Sequence, residues 1–148
     1  MNTEVNYLVA TFQNILHVYS ILEKKPLDLG LGIQVYLTEM QTVASIGENR
    51  GTNITQLAEI MGVTRGATSQ TVQKLAKKGL ITKLKEKNKK EINLGLTSLG
   101  ELAKDKFNSK MKELFTFAED LYVDASDSDR KLAKRLFEAI FQNLRSRI

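Results

Sequence analysis

A mainly α-helical fold with one small β-hairpin is predicted by two features of this 148-residue sequence. Apolar residues recur at the three- and four-residue spacing of amphipathic helices along most of the chain. The alternation typical of strands is confined to 81–86 and 91–96, which flank the polar turn 87–90. The length suits one domain, or a compact body with a small lobe.

The first helix is predicted over Val5–Leu22, because its apolar residues fall on one helical face. Lys24 and Lys25 suit the dipole at its C-terminal end, and Pro26 cannot continue it. Residues 27–32 are expected to form a loop. The apolar positions of this helix are Val5, Leu8, Val9, Phe12, Ile15, Leu16, Tyr19 and Leu22.

Two capping boxes predict the starts of the next two helices. Thr38 with Gln41 opens one helix, and Asn53 with Gln56 opens a shorter helix over Ile54–Met61. In each box a side chain at either end satisfies the other end's free amide. The residues expected to face inward on the first of these helices are Met40, Val43, Ala44 and Ile46.

A helix-turn-helix is predicted where two helices follow each other with almost no connection. Gly62 suits the positive φ that ends the first helix, and Thr64 caps a second helix over 65–78 that Gly79 stops. Two helices joined this tightly are typical of a helix-turn-helix, and the hairpin that follows is interpreted as its wing.

The C-terminal third is predicted to form two further helices. Thr97 or Ser98 caps a long one, the capping-rich stretch 126–129 interrupts it, and a last amphipathic helix covers 132–148. Because the first and last helices carry more apolar surface than a small lobe can cover, we expect them to pack between two chains, with an intramolecular bundle as the alternative. We therefore divide the chain into an N-terminal dimerisation helix and loop (1–36), a winged helix-turn-helix domain (37–98) and C-terminal dimerisation helices (99–148).

Positive charge is concentrated around the predicted recognition helix and wing. The chain carries a net charge of +5, but residues 65–91 carry +7 and the remainder −2. A polyanionic partner is favoured by this distribution. The basic residues of the segment are Arg65, Lys74, Lys77, Lys78, Lys83, Lys85, Lys87, Lys89 and Lys90.

The outward face of the helix 65–78 has the chemistry needed to read duplex DNA. Thr68, Thr71, Val72 and Leu75 share the inward face, and the remaining side chains are polar or basic without any acid. The major groove admits one helix, whose side chains then meet base edges. The outward residues are Arg65, Ala67, Ser69, Gln70, Gln73, Lys74 and Lys77.

Different roles are predicted for these DNA-binding candidates. Gln70 offers the paired donor and acceptor that read adenine, Ser69 can bond several base edges, and the Ala67 methyl suits a thymine methyl. Phosphate contacts are expected from side chains and from backbone amides at the start of the short helix. The phosphate candidates are Arg65, Lys74, Lys77, Lys87, Lys89 and Lys90 for side chains, and Thr52 and Asn53 for amides.

Several other function classes are disfavoured by composition and motifs. The chain has no cysteine and one histidine, which excludes disulfides, thiol redox sensing, and thiolate or histidine-rich zinc sites. No phosphate loop or nucleophile elbow is present, so we expect no enzymatic activity, metal or cofactor. The N-terminus lacks a basic leader and no apolar run approaches membrane-spanning length, which predicts a cytoplasmic protein without membrane contact.

The sequence resembles the multiple antibiotic resistance regulator (MarR) family over nearly its whole length. The resemblance implies a homodimer held by the first, fifth and sixth helices, and a transcriptional regulator that is a repressor by default. It also implies an operator of two half-sites and, in many relatives, release by a small phenolic or anionic ligand. The matching residues are Leu37-Thr38 with Gln41, Gln56-Leu57-Ala58, Met61-Gly62-Val63, Val72, Leu75, Gly79-Leu80-Ile81 and Leu96-Thr97-Ser98-Leu99-Gly100.

The wing departs from the family pattern. Where members commonly carry aspartate and arginine, this chain has Asn88 and Lys90. Lysine is a hydrated point charge without the planar fork of arginine, so reading of minor-groove shape is put in doubt. For an effector pocket, the candidates are His17 and Tyr36, although His17 lies off the main apolar stripe.

Two rival functions remain open. A winged helix can bind an acidic protein partner instead of DNA, or it can coat DNA without reading its sequence. Sequence-selective binding that Gln70→Ala relaxes would distinguish a regulator from both, because neither rival depends on base-edge contacts.

Overall fold

A computed structural model describes residues 2–85 and 92–147, apart from the side chain of Lys85. In this part of the chain six helices and two short antiparallel strand pairs form, which confirms the predicted mainly α fold with a hairpin. The elements are α1 Thr3–Leu22, β1 Pro26–Leu27, β2 Val35–Tyr36, α2 Leu37–Glu48, α3 Ile54–Met61, α4 Arg65–Lys77, β3 Ile81–Lys85, β4 Ile92–Leu96, α5 Ser98–Asp124 and α6 Asp127–Arg145.

The chain forms two compact units, one extending to Phe107 and the other beginning at Asn108. The first contains α1, the helix-turn-helix and the wing. The finer division at 36 and 98 stays a prediction. Among the described residues, no helix is both long and apolar enough to cross a membrane.

The core of the first unit lies where α2, α3, α4 and the hairpin meet. Its side chains are fully or almost fully removed from solvent, and burial of one such residue stabilises the fold by about 1.5–3 kcal/mol. Ala44, which was expected to face inward, is only partly buried. The most deeply buried apolar residues are Val35, Met40, Val43, Ile46, Leu57, Val72, Leu75, Leu80, Leu94 and Ala103.

A small ribbon precedes α2, where only a loop was predicted. Pro26 pairs with Tyr36 and Leu27 with Val35, so the loop is bounded by two short antiparallel strands. Val35 is fully buried, which anchors the ribbon to the lobe. Strands of two residues show no alternation, so periodicity gave no sign of them.

The cap of α2 differs from the one predicted. The helix begins at Leu37, and the Glu39 carboxylate accepts the N–H of Tyr36 at 3.1 Å. The capping box therefore starts two residues before Thr38, because a carboxylate was available to reach back. The Thr38 hydroxyl instead donates to the Glu23 carboxylate at 3.1 Å.

The hairpin is confirmed in its described residues. β3 and β4 are antiparallel, with partners from Ile81 and Leu96 at the base to Lys85 and Ile92 at the far end. The N–H of Leu94 donates to the Thr52 carbonyl at 2.8 Å, which ties the hairpin to the start of α3. The predicted turn 87–90 lies outside the described residues.

Thr97 and Gly100 join the end of α4 to the start of α5. The Thr97 hydroxyl accepts the Gly100 N–H at 3.0 Å, as a capping residue does, and donates to the Gly79 carbonyl at 2.6 Å. The Thr97 N–H donates to the Leu80 carbonyl at 3.1 Å. A Cβ on Gly100 would lie 1.9 Å from that carbonyl oxygen, so only glycine fits.

Helices α1 and α6 differ from the core because no residue of either, along described residues 3–22 and 127–145, is buried. α6 begins at the Ser126 cap, whose hydroxyl accepts the Asp129 N–H at 3.2 Å. Exposed apolar residues on α1 include Val5, Leu8, Val9, Ile15, Leu16, Tyr19 and Leu22, and those on α6 include Leu132, Leu136, Phe137, Phe141 and Leu144.

Candidate nucleic-acid interface

The turn between α3 and α4 is fixed by backbone geometry. Gly62 has φ of 67°, and its N–H and that of Val63 donate to the carbonyls of Glu59 and Ala58 at 3.2 and 3.1 Å. These paired bonds form a Schellman motif, which stops α3 and reverses the chain. The Thr64 hydroxyl then accepts the Ala67 N–H at 3.2 Å and starts α4.

The far end of α4 uses the same motif. Gly79 has φ of 73°, while the N–H groups of Gly79 and Leu80 donate to the carbonyls of Ala76 and Leu75, both at 3.0 Å. Because Leu80 and Leu75 are buried, the helix is held by its end as well as by its inner face. The predicted stop at Gly79 is confirmed.

The inner face of α4 packs on the lobe, and its outer face is open to solvent. Thr68, Val72 and Leu75 are buried and Thr71 is partly buried, as predicted. Ser69 is only half exposed, so it lies at the border between the two faces. The exposed residues of the outer face are Arg65, Ala67, Gln70, Gln73, Lys74 and Lys77.

This outer face has a positive charge that nothing nearby neutralises. No acid occurs in α4, and within the described ranges Arg65, Lys74 and Lys77 form no ion pair. Lys83 is exposed on β3 and adds a cation on the wing that was not among the site candidates. The surface therefore favours a negatively charged partner.

Thr52 and Asn53 require a correction. Thr52 is buried, and its N–H donates to the Asn49 carbonyl at 3.1 Å. The N–H of Asn53 donates to the Gln56 side chain at 3.1 Å, and the Asn53 side chain accepts the Gln56 N–H at 2.9 Å. These bonds confirm the capping box. Both amides that were predicted to bind phosphate have acceptors within the chain, Asn49 for Thr52 and Gln56 for Asn53.

The remaining candidates lie elsewhere. Lys87, Lys89 and Lys90 lie outside the described residues. His17 is exposed on α1, and Tyr36 lies on β2 beneath the Lys78 ammonium, 5.4 Å from its ring centroid. An effector pocket formed by His17 and Tyr36 stays a prediction.

A cleft of about 190 Å³ lies at the base of the wing, between the end of α2 and the start of α5. Glu101 on its rim pairs with Lys104 and, at 3.6 Å, with Arg50. The hydrogen bond from Lys104 lowers the pKa of Glu101 below its usual range. In the described residues, no group of three or more acids or histidines is placed to hold a metal ion.

Solved structures with the same fold include those of two streptococcal proteins. FabT of Streptococcus pneumoniae, solved in complex with DNA, has a TM-score of 0.68 at 20% identity, covering 97% of this chain and 96% of FabT. The adhesin competence repressor (AdcR) of Streptococcus pyogenes has a TM-score of 0.74 at 13% identity, covering 93% of this chain and 98% of AdcR. At these identities the likeness establishes the fold.

Sequence comparison adds a relative and a family model. The uncharacterised HTH-type transcriptional regulator YhjH of Bacillus subtilis (strain 168) is 29% identical over 125 residues, which cover 83% of this chain and 69% of YhjH. Residues 35–92 match the model of the MarR family. The matched segment, which contains α2, α3 and α4, is a MarR-family domain. Proteins of the MarR family are regulators of transcription and not enzymes.

Proposed function

We propose that this protein binds duplex DNA sequence-specifically as a homodimer and represses transcription by occupying its operator. The acid-free, exposed outer face of α4 is the observation that carries the proposal. A helix fits the major groove, and both ends of α4 are fixed, the first by the Thr64 cap and the last by the Schellman motif at Gly79. The same fold in FabT, which was solved with DNA, supports this use.

The residues of α4 divide into readers and anchors. Gln70 is fully available to pair with adenine, Ala67 offers a methyl group, and Ser69 contributes from the edge of the face. Phosphates would meet the charged side chains, since neutralising them releases counterions without reading sequence. The anchors on α4 are Arg65, Lys74 and Lys77, those predicted on the wing are Lys87, Lys89 and Lys90, and Gln73 lies on the same exposed face.

The homodimer is supported by the apolar faces of α1 and α6. Each helix exposes a row of large apolar side chains along its length. Two copies that bury these faces would place two recognition helices on one side of DNA, which predicts a pseudo-palindromic operator with half-sites about 34 Å apart. Repression follows from occupancy, and AdcR is a repressor with the same fold.

Release by a small phenolic or anionic ligand completes the proposal. A ligand that binds better to a lobe spacing mismatched to the half-sites would lower operator affinity. The resemblance to the MarR family supports ligand release, because many of its members respond to such ligands. A panel of aromatic carboxylic acids, added to the operator complex, should release DNA at constant salt if the step is right.

Selection from a random duplex-DNA pool at about 0.15 M salt tests the main proposal, because nonspecific contacts are largely screened there. An enriched inverted repeat is expected. Retention without any motif would instead favour a nonspecific binder, and no retention would favour a protein partner.

A substitution pair then assigns base reading. Gln70→Ala should relax selectivity at one position of each half-site, by about 1–3 kcal/mol in discrimination. Gln13→Ala, which removes the same exposed side chain from α1, should leave selectivity unchanged. Equal motifs for the parent and Gln70→Ala would exclude Gln70 as a base reader.

A further inference from the structure

Lys78 follows the last residue of α4, but its ammonium group points into the lobe. Its Nζ donates to Oε1 and Oε2 of Glu39 at 2.8 and 2.7 Å and to the carbonyl of Gln34 at 2.8 Å. The Lys78 side chain is 26% exposed and that of Glu39 11%. An ammonium has three donors, and all three have acceptors here, so none is left for a phosphate.

The acceptor carboxylate is itself held in place. Glu39 lies in the first turn of α2, where its Oε2 also accepts the N–H of Tyr36 at 3.1 Å. The Lys78 ammonium lies 5.4 Å from the centroid of the Tyr36 ring. The end of the recognition helix is thereby fixed to both β2 and α2.

The same turn of α2 also binds α1. Thr38 donates to the Glu23 carboxylate at 3.1 Å, and the amide of Gln41 donates to the Tyr19 hydroxyl at 3.0 Å. We name Thr38, Glu39 and Gln41 the α2 junction. Through it, a single helical turn contacts α1 with two side chains and α4 with a third.

The geometry points to Lys78 as a positioning residue for DNA recognition that acts through Glu39. It fixes the end of α4 relative to the α2 junction and so to α1. In a dimer held partly by α1, that angle sets where each recognition helix meets the duplex and which half-site spacing fits. This inference rests on the proposed function, and it separates Lys78 from the neighbouring phosphate anchors.

The adjacent residues Lys77 and Lys78 form a matched pair for the test. Lys77 is exposed and forms no ion pair in the described part of the chain. Binding to the selected operator is measured over a range of salt concentrations. Lys77→Gln should reduce the slope of log K against log salt by about 0.9, as expected for one lost phosphate contact. Lys78→Gln should leave the slope unchanged and weaken binding on the order of tenfold.

Glu39→Gln is a second variant that distinguishes a phosphate contact by Lys78 from a positioning role. The two roles predict opposite changes in operator affinity. It adds one unit of positive charge and releases Lys78. If Lys78 contacted phosphate, binding would strengthen; a positioning role predicts that it weakens, as for Lys78→Gln. This variant keeps the side-chain shape, so it remains informative if Lys78→Gln folds poorly.

The preference for one half-site spacing is a readout that does not change when a variant is merely less stable. Operators with half-sites shifted by one base pair are compared with the parent operator for each variant. A smaller active fraction weakens all duplexes equally, so the ratio of affinities stays constant. Lys78→Gln and Glu39→Gln should reduce the preference for the parent spacing, whereas Lys77→Gln should retain it.

The possible failures are distinguishable. A salt slope reduced equally in Lys77→Gln and Lys78→Gln, with spacing preference intact, would overturn the positioning role and leave DNA binding standing. Failure of the parent protein to retain any duplex would overturn DNA binding, and the positioning role with it.

Discussion

Leu57, Leu75 and Leu94 in the winged lobe are fully buried, whereas Leu8 on α1 is 53% exposed and Leu136 on α6 is 46% exposed. All five are leucines on regular helices or strands. The lobe completes its core within one chain, and α1 and α6 each present an apolar face that this chain leaves open. We therefore expect the lobe to be stable at any protein concentration and the outer helices to depend on a second copy.

The largest expected effect lies in the buried half of this comparison. Leu75→Ala removes a fully buried side chain between α4 and the core and should lower the free energy of unfolding by about 3 kcal/mol. Urea denaturation at several protein concentrations measures it. Ile60→Ala, on the exposed side of α3, should cost less than about 1 kcal/mol. Similar losses for both would contradict the assignment of the core.

Gly100→Ala tests the closest backbone approach in the lobe. Its Cβ would meet the Leu80 carbonyl oxygen, so α5 must shift, and we expect a loss of about 2 kcal/mol in unfolding free energy. Gly66→Ala is the control, because its Cβ would meet nothing within 4 Å. It should stabilise α4 by up to about 1 kcal/mol. In thermal denaturation, the melting temperature should fall below that of the parent for Gly100→Ala and rise above it for Gly66→Ala.

Phe137→Ala tests the open half of the comparison. Phe137 is 67% exposed on α6, and its loss should raise the dimer dissociation constant about tenfold while the lobe stays folded. Analytical ultracentrifugation gives the constant, and Gln142→Ala on the same helix is the control. If the parent protein remains monomeric at every concentration, the apolar faces of α1 and α6 do not form a dimer interface.

Asn53→Ala should give the smallest change. The Asn53 side chain accepts the Gln56 N–H at 2.9 Å, and loss of this cap should cost about 1 kcal/mol in unfolding free energy. Chemical denaturation measures the change, and the dimer constant should not respond. Thr55→Ala removes an exposed side chain two residues further along the chain, and it should leave the unfolding free energy nearly unchanged.

Local signals predicted most of the lobe. Asn53 with Gln56, Gly62, Thr64 and Gly79 all act within four residues of their partners, so short spacing was enough to place α3 and α4. The exposed face of α4 followed from helical periodicity, since a helix fixes which side chains share a face. The structure placed those residues as expected, with Ser69 less exposed than the others.

Long-range partners explain what was missed. Lys78 resembles Lys77 in sequence, and only the fold brings it to Glu39, 39 positions earlier. The Thr52 amide was expected to bind phosphate, but it donates to the nearby Asn49 carbonyl, and the Thr52 carbonyl accepts the N–H of the distant Leu94. Tertiary contacts decide such cases, because a charge or cap pattern does not reveal a distant acceptor.

The bond between the Leu94 amide and the Thr52 carbonyl ties the middle of β4 to the start of α3. Register between β3 and β4 is set by partners from Ile81 to Lys85, before the segment 86–91 is reached. The pairing of the two strands and their bond to α3 are therefore complete within the described residues. An engineer can therefore use the paired strands β3 and β4 as a fixed base and graft a different connecting segment onto an unchanged lobe.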